Sequence, residues 1–286
     1  METIFVSIAS YRDPKTQHTV NNLISQAAHP NNLRIAVIEQ NLKEDNFHCS
    51  PLRNKVNILK LKEGVGPAHA RFLASTLWKK ETYFLQIDSH MSFIKNWDII
   101  LIDDLKKCPT IHSVLTCYPP PLLPKDNIHI RSITENWSWD KNNHIIAQGK
   151  ILKPSQNPSL GVFVSAGFLF TRAEPFLKQI PFDPNLKFLF QGEEILLSAR
   201  LFTNGWNVYH PSKCVCAHDY IRQDQPKVWN DKQDFWKKNK HVVRKYRYLT
   251  YQLNNLTPPD NTTYGLGKIR DPQQWKKIIG LNKIFL

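Results

Sequence analysis

Tyr83-Phe84-Leu85-Gln86-Ile87-Asp88-Ser89-His90 is the stretch on which the fold turns. An apolar, strand-forming run stops abruptly on a carboxylate and an imidazole two positions apart. In open parallel sheets, ligands bind outside the carboxyl ends of the strands. A strand ending on Asp88 and His90 therefore predicts a site at that end of a sheet. Asp88 offers a hard oxygen and His90 a borderline nitrogen, a pair suited to Mn²⁺ or a similar divalent ion. The same residues also read as an Asp-Ser turn cap followed by a surface histidine.

Outward from this run, the chain alternates between two periods. Residues 3–10, 33–38, 56–61 and 113–118 read as strands. Residues 16–28, 67–78 and 97–105 carry apolar side chains at helical spacing, and Pro67 sits at a tolerated first-turn position. Strands alternating with helices predict an α/β fold, with a mostly parallel sheet covered on both faces. The pattern breaks at Pro119-Pro120-Pro121, which suits neither a central strand nor a helix. Residues 119–160 are polar and bear Trp137 and Trp139, so they read as a long loop or small hairpin insertion. The Pro-rich stretch and the two tryptophans could form a lid over a site or simply cover core. Residues 162–170 predict a strand in which Gly167 leaves room for a close neighbour. Residues 192–204 predict a helix closed by Gly205, and 207–218 an extended segment. Residues 227–253 predict one long, basic, aromatic-rich helix. Pro258-Pro259 and an amphipathic segment over 271–279 follow.

Composition sets outer bounds. The chain has 286 residues, of which 41% are hydrophobic and 22% charged, so it is globular. At about 150 residues per domain the soft prior is two domains. Lys+Arg of 38 against Asp+Glu of 24 gives +14, which favours an anionic partner: a nucleotide, a nucleic acid or a membrane surface. No apolar run is long enough to span a membrane. The first residues lack the basic start and long apolar core of a signal peptide. Cys49, Cys108, Cys117, Cys214 and Cys216 are odd in number and dispersed, which predicts free thiols and a cytoplasmic, reducing location.

Four further stretches are candidates for chemistry. On a strand, Cys214, Cys216 and His218 share one face. Zinc would need a second cysteine pair that the sequence lacks, so the cysteines read as packing residues and His218 as a possible partner of Asp88 and His90. Glu193 and Glu194, after Phe190-Gln191-Gly192, either complement a helix dipole or grip sugar hydroxyls. Glu63-Gly64-Val65-Gly66-Pro67-Ala68-His69-Ala70-Arg71 fails both the G-x-G-x-x-G and the P-loop patterns. Its helix start and Arg71 could still meet a phosphate, or form an ordinary loop. The basic helix over 227–253 interleaves lysines with aromatics, a pattern of nucleic-acid binding or of a helix with a solvated basic face. No Gly-x-Ser-x-Gly elbow appears.

Six stretches in order now form a resemblance: IFVSIASYRDP (4–14), GVGPAHAR (64–71), YFLQIDSHMSF (83–93), VLTCYP (114–119), SAGFLF (165–170) and FLFQGEEILLSARLFTNGWNVYHP (188–211). The chain resembles the GT-A glycosyltransferases, specifically the cytoplasmic family that places N-acetylglucosamine (GlcNAc) on hydroxyproline. It is more distantly similar to the polypeptide N-acetylgalactosaminyltransferases. The resemblance implies a Rossmann-like GT-A catalytic domain over 1–222 and a basic helical extension over 223–286 packed on it. It implies Mn²⁺ (or Mg²⁺) at Asp88, His90 and His218, and Arg71 beside the donor's diphosphate. Ser10 and Arg12 would hold the nucleoside, and Gln40 would read uracil. Gly167 and Glu193 would face the sugar, with Glu194 beside them. The implied reaction is retaining transfer of GlcNAc, or a related sugar, from a UDP-sugar to a hydroxyl on a polypeptide or glycan. Asp88, Glu193 and Glu194 would be its catalytic residues. The rival reading is a basic nucleic-acid-binding protein using the 227–253 helix.

Overall fold

The computed structural model describes residues 2–51, 55–122, 130–140, 144–222, 224–251 and 264–281. Pro258-Pro259 and the end of the segment predicted helical over 227–253 lie outside the described residues. In chain order the first half comprises β1 (Ile4–Tyr11), α1 (Thr16–Gln26), β2 (Leu33–Gln40), β3 (Val56–Lys60), α2 (Pro67–Ser75), β4 (Tyr83–Asp88), β5 (Met91–Phe93), α3 (Trp97–Lys107) and β6 (Ser113–Thr116). The second half comprises β7 (Arg131–Trp139), β8 (Ile145–Leu152), β9 (Ser159–Gly161), β10 (Phe168–Arg172), α4 (Ala173–Gln179), α5 (Glu193–Thr203), β11 (Asn207–His210), β12 (Cys216–His218), α6 (Val228–Asp231), α7 (Phe235–Tyr251) and α8 (Pro272–Ile278).

The central sheet has the order β3-β2-β1-β4-β10-β6-β11-β9. The pairs β3–β2, β2–β1, β1–β4 and β6–β11 are parallel. β10 is antiparallel to both β4 and β6, and β9 is antiparallel to β11. The chain thus returns through the β7–β8 hairpin without a helical crossover, and an antiparallel neighbour needs none. The sheet interior is apolar on both faces. Val6, Ile8, Leu85 and Ile87 bury one side against α1 and α3, while Phe5, Phe84, Phe176 and Leu201 fill the other. A third apolar cluster joins Ile195, Leu196 and Ala199 of α5 to Val242, Tyr246 and Leu249 of α7 and Trp275 of α8.

Two predicted elements differ, and one open alternative is decided. The strand read over 162–170 is extended hydrogen-bonded sheet only from Phe168; Val164 instead donates its N–H to Ser198 Oγ at 2.9 Å. Of the two readings of 119–160, the structure has the hairpin, because Arg131–Trp139 and Ile145–Leu152 pair antiparallel. The single helix read over 227–253 is broken between α6 and α7. Lys232 leaves the helix to bond Glu63 at 2.5 Å, and Asp234 pairs with Lys238 at 2.6 Å. The break lets Val228 and Phe235 pack together on Phe188.

Candidate active site

Register places the site. β1 and β4 are parallel, with Ala9 opposite Asp88, and Tyr11 on β1 lies opposite Gln40 on β2. The carboxyl ends of three neighbouring strands therefore present Tyr11, Gln40 and Asp88 at one edge. β12 pairs with β5 antiparallel, with His218 opposite Met91. That pairing carries His218 across the chain to His90, and Asp219 N–H donates to the His90 carbonyl at 3.1 Å.

Asp88, His90 and His218 converge, their ligand atoms all within 4.8 Å of one another. Among the described residues no other such cluster occurs. His90 Nδ1 lies 2.8 Å from the buried Asp13 Oδ2, which also accepts from Ser89 Oγ at 2.6 Å. This carboxylate fixes the imidazole so that Nε2 is left for a ligand, the arrangement common behind metal-binding histidines. Burial pushes the Asp13 carboxyl up, but its bonds to His90 and the nearby Arg222 outweigh that and hold it below the usual range. Asp88 behaves likewise. Burial works against its charge, and His218 and Arg71 more than compensate, keeping it ionised. One carboxylate and two imidazoles with no thiolate suit a phosphate-bridging divalent ion. The residues present therefore fit such a metal.

Arg71, on α2, is 3% exposed. It donates through Nη2 to Asp88 Oδ1 at 2.9 Å and through Nη1 to Glu193 Oε2 at 2.5 Å, while its buried Nε has no partner. Burial raises Glu193, and the Arg71 charge only partly opposes this. Glu194 is raised to about 7 by burial, against bonds from Tyr118 and Ala166 that pull it down. The Ala166 N–H donates to Glu194 Oε1 at 2.7 Å, and the Tyr118 hydroxyl donates to Oε2. Gly167 closes the site: a Cβ there would stand 2.8 Å from Asp88 Oδ2.

Two adjoining cavities meet at this cluster. The first, about 430 Å³, has walls from Tyr11, Gln40, Phe190, Val228 and Trp229. The second, about 250 Å³, is lined by Arg71, Tyr118, Gly167, Glu193 and Glu194. Asp88, His218, Tyr220 and Phe190 line both.

Not every residue singled out from sequence faces these cavities. Gln40 lines the first, but its amide donates to the Ser10 carbonyl at 3.2 Å and accepts from the Val65 N–H at 2.9 Å. The Ser10 hydroxyl is buried against Thr16 Oγ1 at 2.7 Å. Arg12, at φ 44°, pairs with Asp45 at 2.8 Å and Asp231 at 3.0 Å. Neither Ser10 nor Arg12 is in the cavity linings. Cys214 and Cys216 are buried in the apolar core beside Cys117, outside the metal trio. Trp137 donates to the Ile279 carbonyl at 2.5 Å and packs against the buried cluster shared by α5, α7 and α8, in neither cavity's lining. Sequence reading missed Asp13, Tyr118 and Arg222, and took Trp229 only as one of the aromatics of the basic helix. Only Asp13 had a local signal, an acid just past the end of β1.

The glycosyltransferase (GlcNAc) family model matches residues 3–56 and 48–285. No curated protein matches by sequence. Among solved structures, GalNAc-T7 with UDP, GalNAc and Mn²⁺ matches with TM-score 0.64 at 14% identity, over 99% of this chain and 57% of that one. S. aureus TarS matches with TM-score 0.54 at 12% identity, over 97% of this chain and 42% of that one. This chain thus spans about half the length of each. These likenesses establish the GT-A fold. With the family model matched from residue 3 to residue 285, this chain belongs to the glycosyltransferase (GlcNAc) family.

Proposed function

We propose that the protein is a metal-dependent, retaining glycosyltransferase that moves GlcNAc, or a related sugar, from a UDP-sugar to a hydroxyl of a polypeptide or glycan. The observation that carries this is the Asp88–His90–His218 trio at the junction of two cavities. The larger, aromatic-walled cavity suits the uridine, and the smaller, carboxylate-lined one suits the sugar. The GalNAc-T7 neighbour was solved with UDP, GalNAc and Mn²⁺, which supports the same donor class and Mn²⁺ (or Mg²⁺) here.

Asp88, His90 and His218 would hold the cation, which supplies Lewis-acid neutralisation of the departing diphosphate. Arg71 sits behind Asp88 and adds fixed positive charge near the same oxygens. Glu193 is oriented by Arg71, and Glu194 by Tyr118 and Ala166; both orient sugar hydroxyls. Gly167 keeps the backbone low beside Asp88, so that the sugar can approach. The bond from sugar C1 to the diphosphate oxygen breaks, the acceptor oxygen bonds to C1, and its proton passes to the departing diphosphate. Asp88, Glu193 and Glu194, the carboxylates lining the second cavity, are each held by cationic or hydrogen-bonding partners. That favours attack and departure on one face over a carboxylate nucleophile. Five unbridged cysteines fit action in a reducing, cytoplasmic setting.

Release of UDP from each UDP-sugar, with and without Mn²⁺, tests this reading. Mn²⁺-dependent release from UDP-GlcNAc that Asp88→Ala abolishes is expected. Equal turnover without metal, or full activity of Asp88→Ala, would overturn it.

A further inference from the structure

The mouth of the larger cavity continues onto an exposed aromatic face. The Phe190 and Trp229 rings, which line the cavity, stand 4.5 Å apart, and Trp229 is 6.4 Å from Trp236. Trp236 is the second residue of α7 and is 49% exposed, and Phe190 is 41% exposed. Large apolar side chains on a surface are informative when they form a contiguous run, and this one leads out of the site.

Its charge is graded. Lys232 and Lys238 stand 5.3 and 5.4 Å from the Phe188 ring, but Glu63 and Asp234 already pair with them. Lys237 and Lys240, on the exposed side of α7, have no acidic partner among the described residues. No Asp or Glu occurs between Phe235 and Tyr251. The face therefore presents flat rings with Lys237 and Lys240 as uncompensated cations along a helix of about 25 Å at 1.5 Å per residue, and Lys227 6.0 Å from the Trp229 ring. Aromatic faces take aliphatic and prolyl rings, and lysines take carboxylates. A nucleic-acid strand carries a charge at each nucleotide and would need a denser, unpaired row of cations.

We propose that the Phe190–Trp229–Trp236 face, with Lys237 and Lys240, docks an acidic polypeptide segment whose hydroxyl side chain enters the site as acceptor. This rests on the glycosyltransferase reading above and names its substrate class. The aromatic rings hold the backbone and apolar side chains of that segment near the cavity mouth. The lysines select carboxylates flanking the acceptor residue, chiefly by steering and positioning.

The test uses the full chain with UDP and Mn²⁺ and three probes. Two are equal-length peptides carrying Ser, Thr and hydroxyproline, one flanked by Glu and the other by Lys; the third is an oligouridylate. The acidic peptide is expected to bind at least tenfold more tightly than the basic one, and less tightly as salt rises. Trp236→Ala and the pair Lys237→Glu/Lys240→Glu should each weaken it about tenfold. Neither change touches the cavity linings, so UDP·Mn²⁺ binding should persist and also report folding. Equal affinity for both peptides, unchanged binding by the variants, or tighter binding of oligouridylate would overturn the docking proposal. Failure of the unaltered chain to bind UDP·Mn²⁺ would instead sink the underlying reading.

Discussion

At the scale of single residues, the site depends on what stands behind the cluster. The Asp13 carboxylate fixes His90 through Nδ1. Asp13→Asn keeps the shape but removes the charge, and should weaken Mn²⁺ binding roughly tenfold, as loss of the carboxylate behind a ligating histidine does. Calorimetric titration of Mn²⁺ with UDP present checks this, and unchanged affinity would remove Asp13 from the site. Gly167→Ala would force a methyl to 2.8 Å from Asp88 Oδ2. It should lower Mn²⁺ affinity by at least as much while barely moving the melting temperature, measurable in the same titration with a thermal scan. Glu194 gives a stability signature. Burial raises it from 4.5 to about 7, so the folded state binds this proton more tightly than the unfolded chain. Its contribution is complete below pH 4.5 and is lost as pH rises through about 7. The loss is roughly 3 kcal/mol at 1.36 kcal/mol per tenfold. Urea unfolding across pH 4.5–7 should show this fall, and Glu194→Gln should flatten it. An equal slope in both proteins would refute the assignment.

At the scale of elements, the start of α5 is the most constrained junction. Gly192 has φ 97°, and a Cβ there would meet the Tyr246 ring at 2.6 Å. Only a residue without a side chain fits both demands. Gly192→Ala should therefore push α7 away from α5 and shift Glu193 and Glu194 with it. A loss of about 1–3 kcal/mol, the range for overpacking, is expected along with weaker sugar-donor binding. Chemical denaturation and donor titration of the variant read the two effects separately. The interrupted helix teaches the same lesson. Its composition predicted one amphipathic helix, and Phe235 and Tyr246 do face the core. The break falls where Val228 and Phe235 both pack on Phe188, a contact distant in sequence that no local pattern announced.

At the scale of the whole molecule, the C-terminal helices share a buried cluster with α5, which carries the site carboxylates. A sheet domain and an extension that merely touched would melt separately. Here Tyr246 and Trp275 belong to one buried cluster with Ile195 and Leu196, so calorimetry should show a single cooperative transition. Tyr246→Ala should lower it by about 3–5 kcal/mol, the usual cost of deleting a buried aromatic. Two resolved transitions, with UDP binding kept after the first, would show the extension to be independent.

Local residue patterns were enough for the alternating α/β order, the strand that ends on Asp88 and His90, and the helix that opens on Glu193 and Glu194. These are properties of period and punctuation within a few residues, and local steric and solvation preferences suffice for them. His218 was legible only as a candidate, because its approach depends on β12 pairing with β5. Tertiary structure alone decided that Asp13 would stand behind His90 and that Tyr118 would bond Glu194. It also turned Arg12 to Asp45 and Asp231, and spent Gln40's amide on backbone groups. Each of these is a choice among polar partners far apart in the chain. Burial makes an unpaired polar group costly, so the partner is whichever group the packed fold brings within reach. That reach is set by register and crossover, which no window of sequence contains.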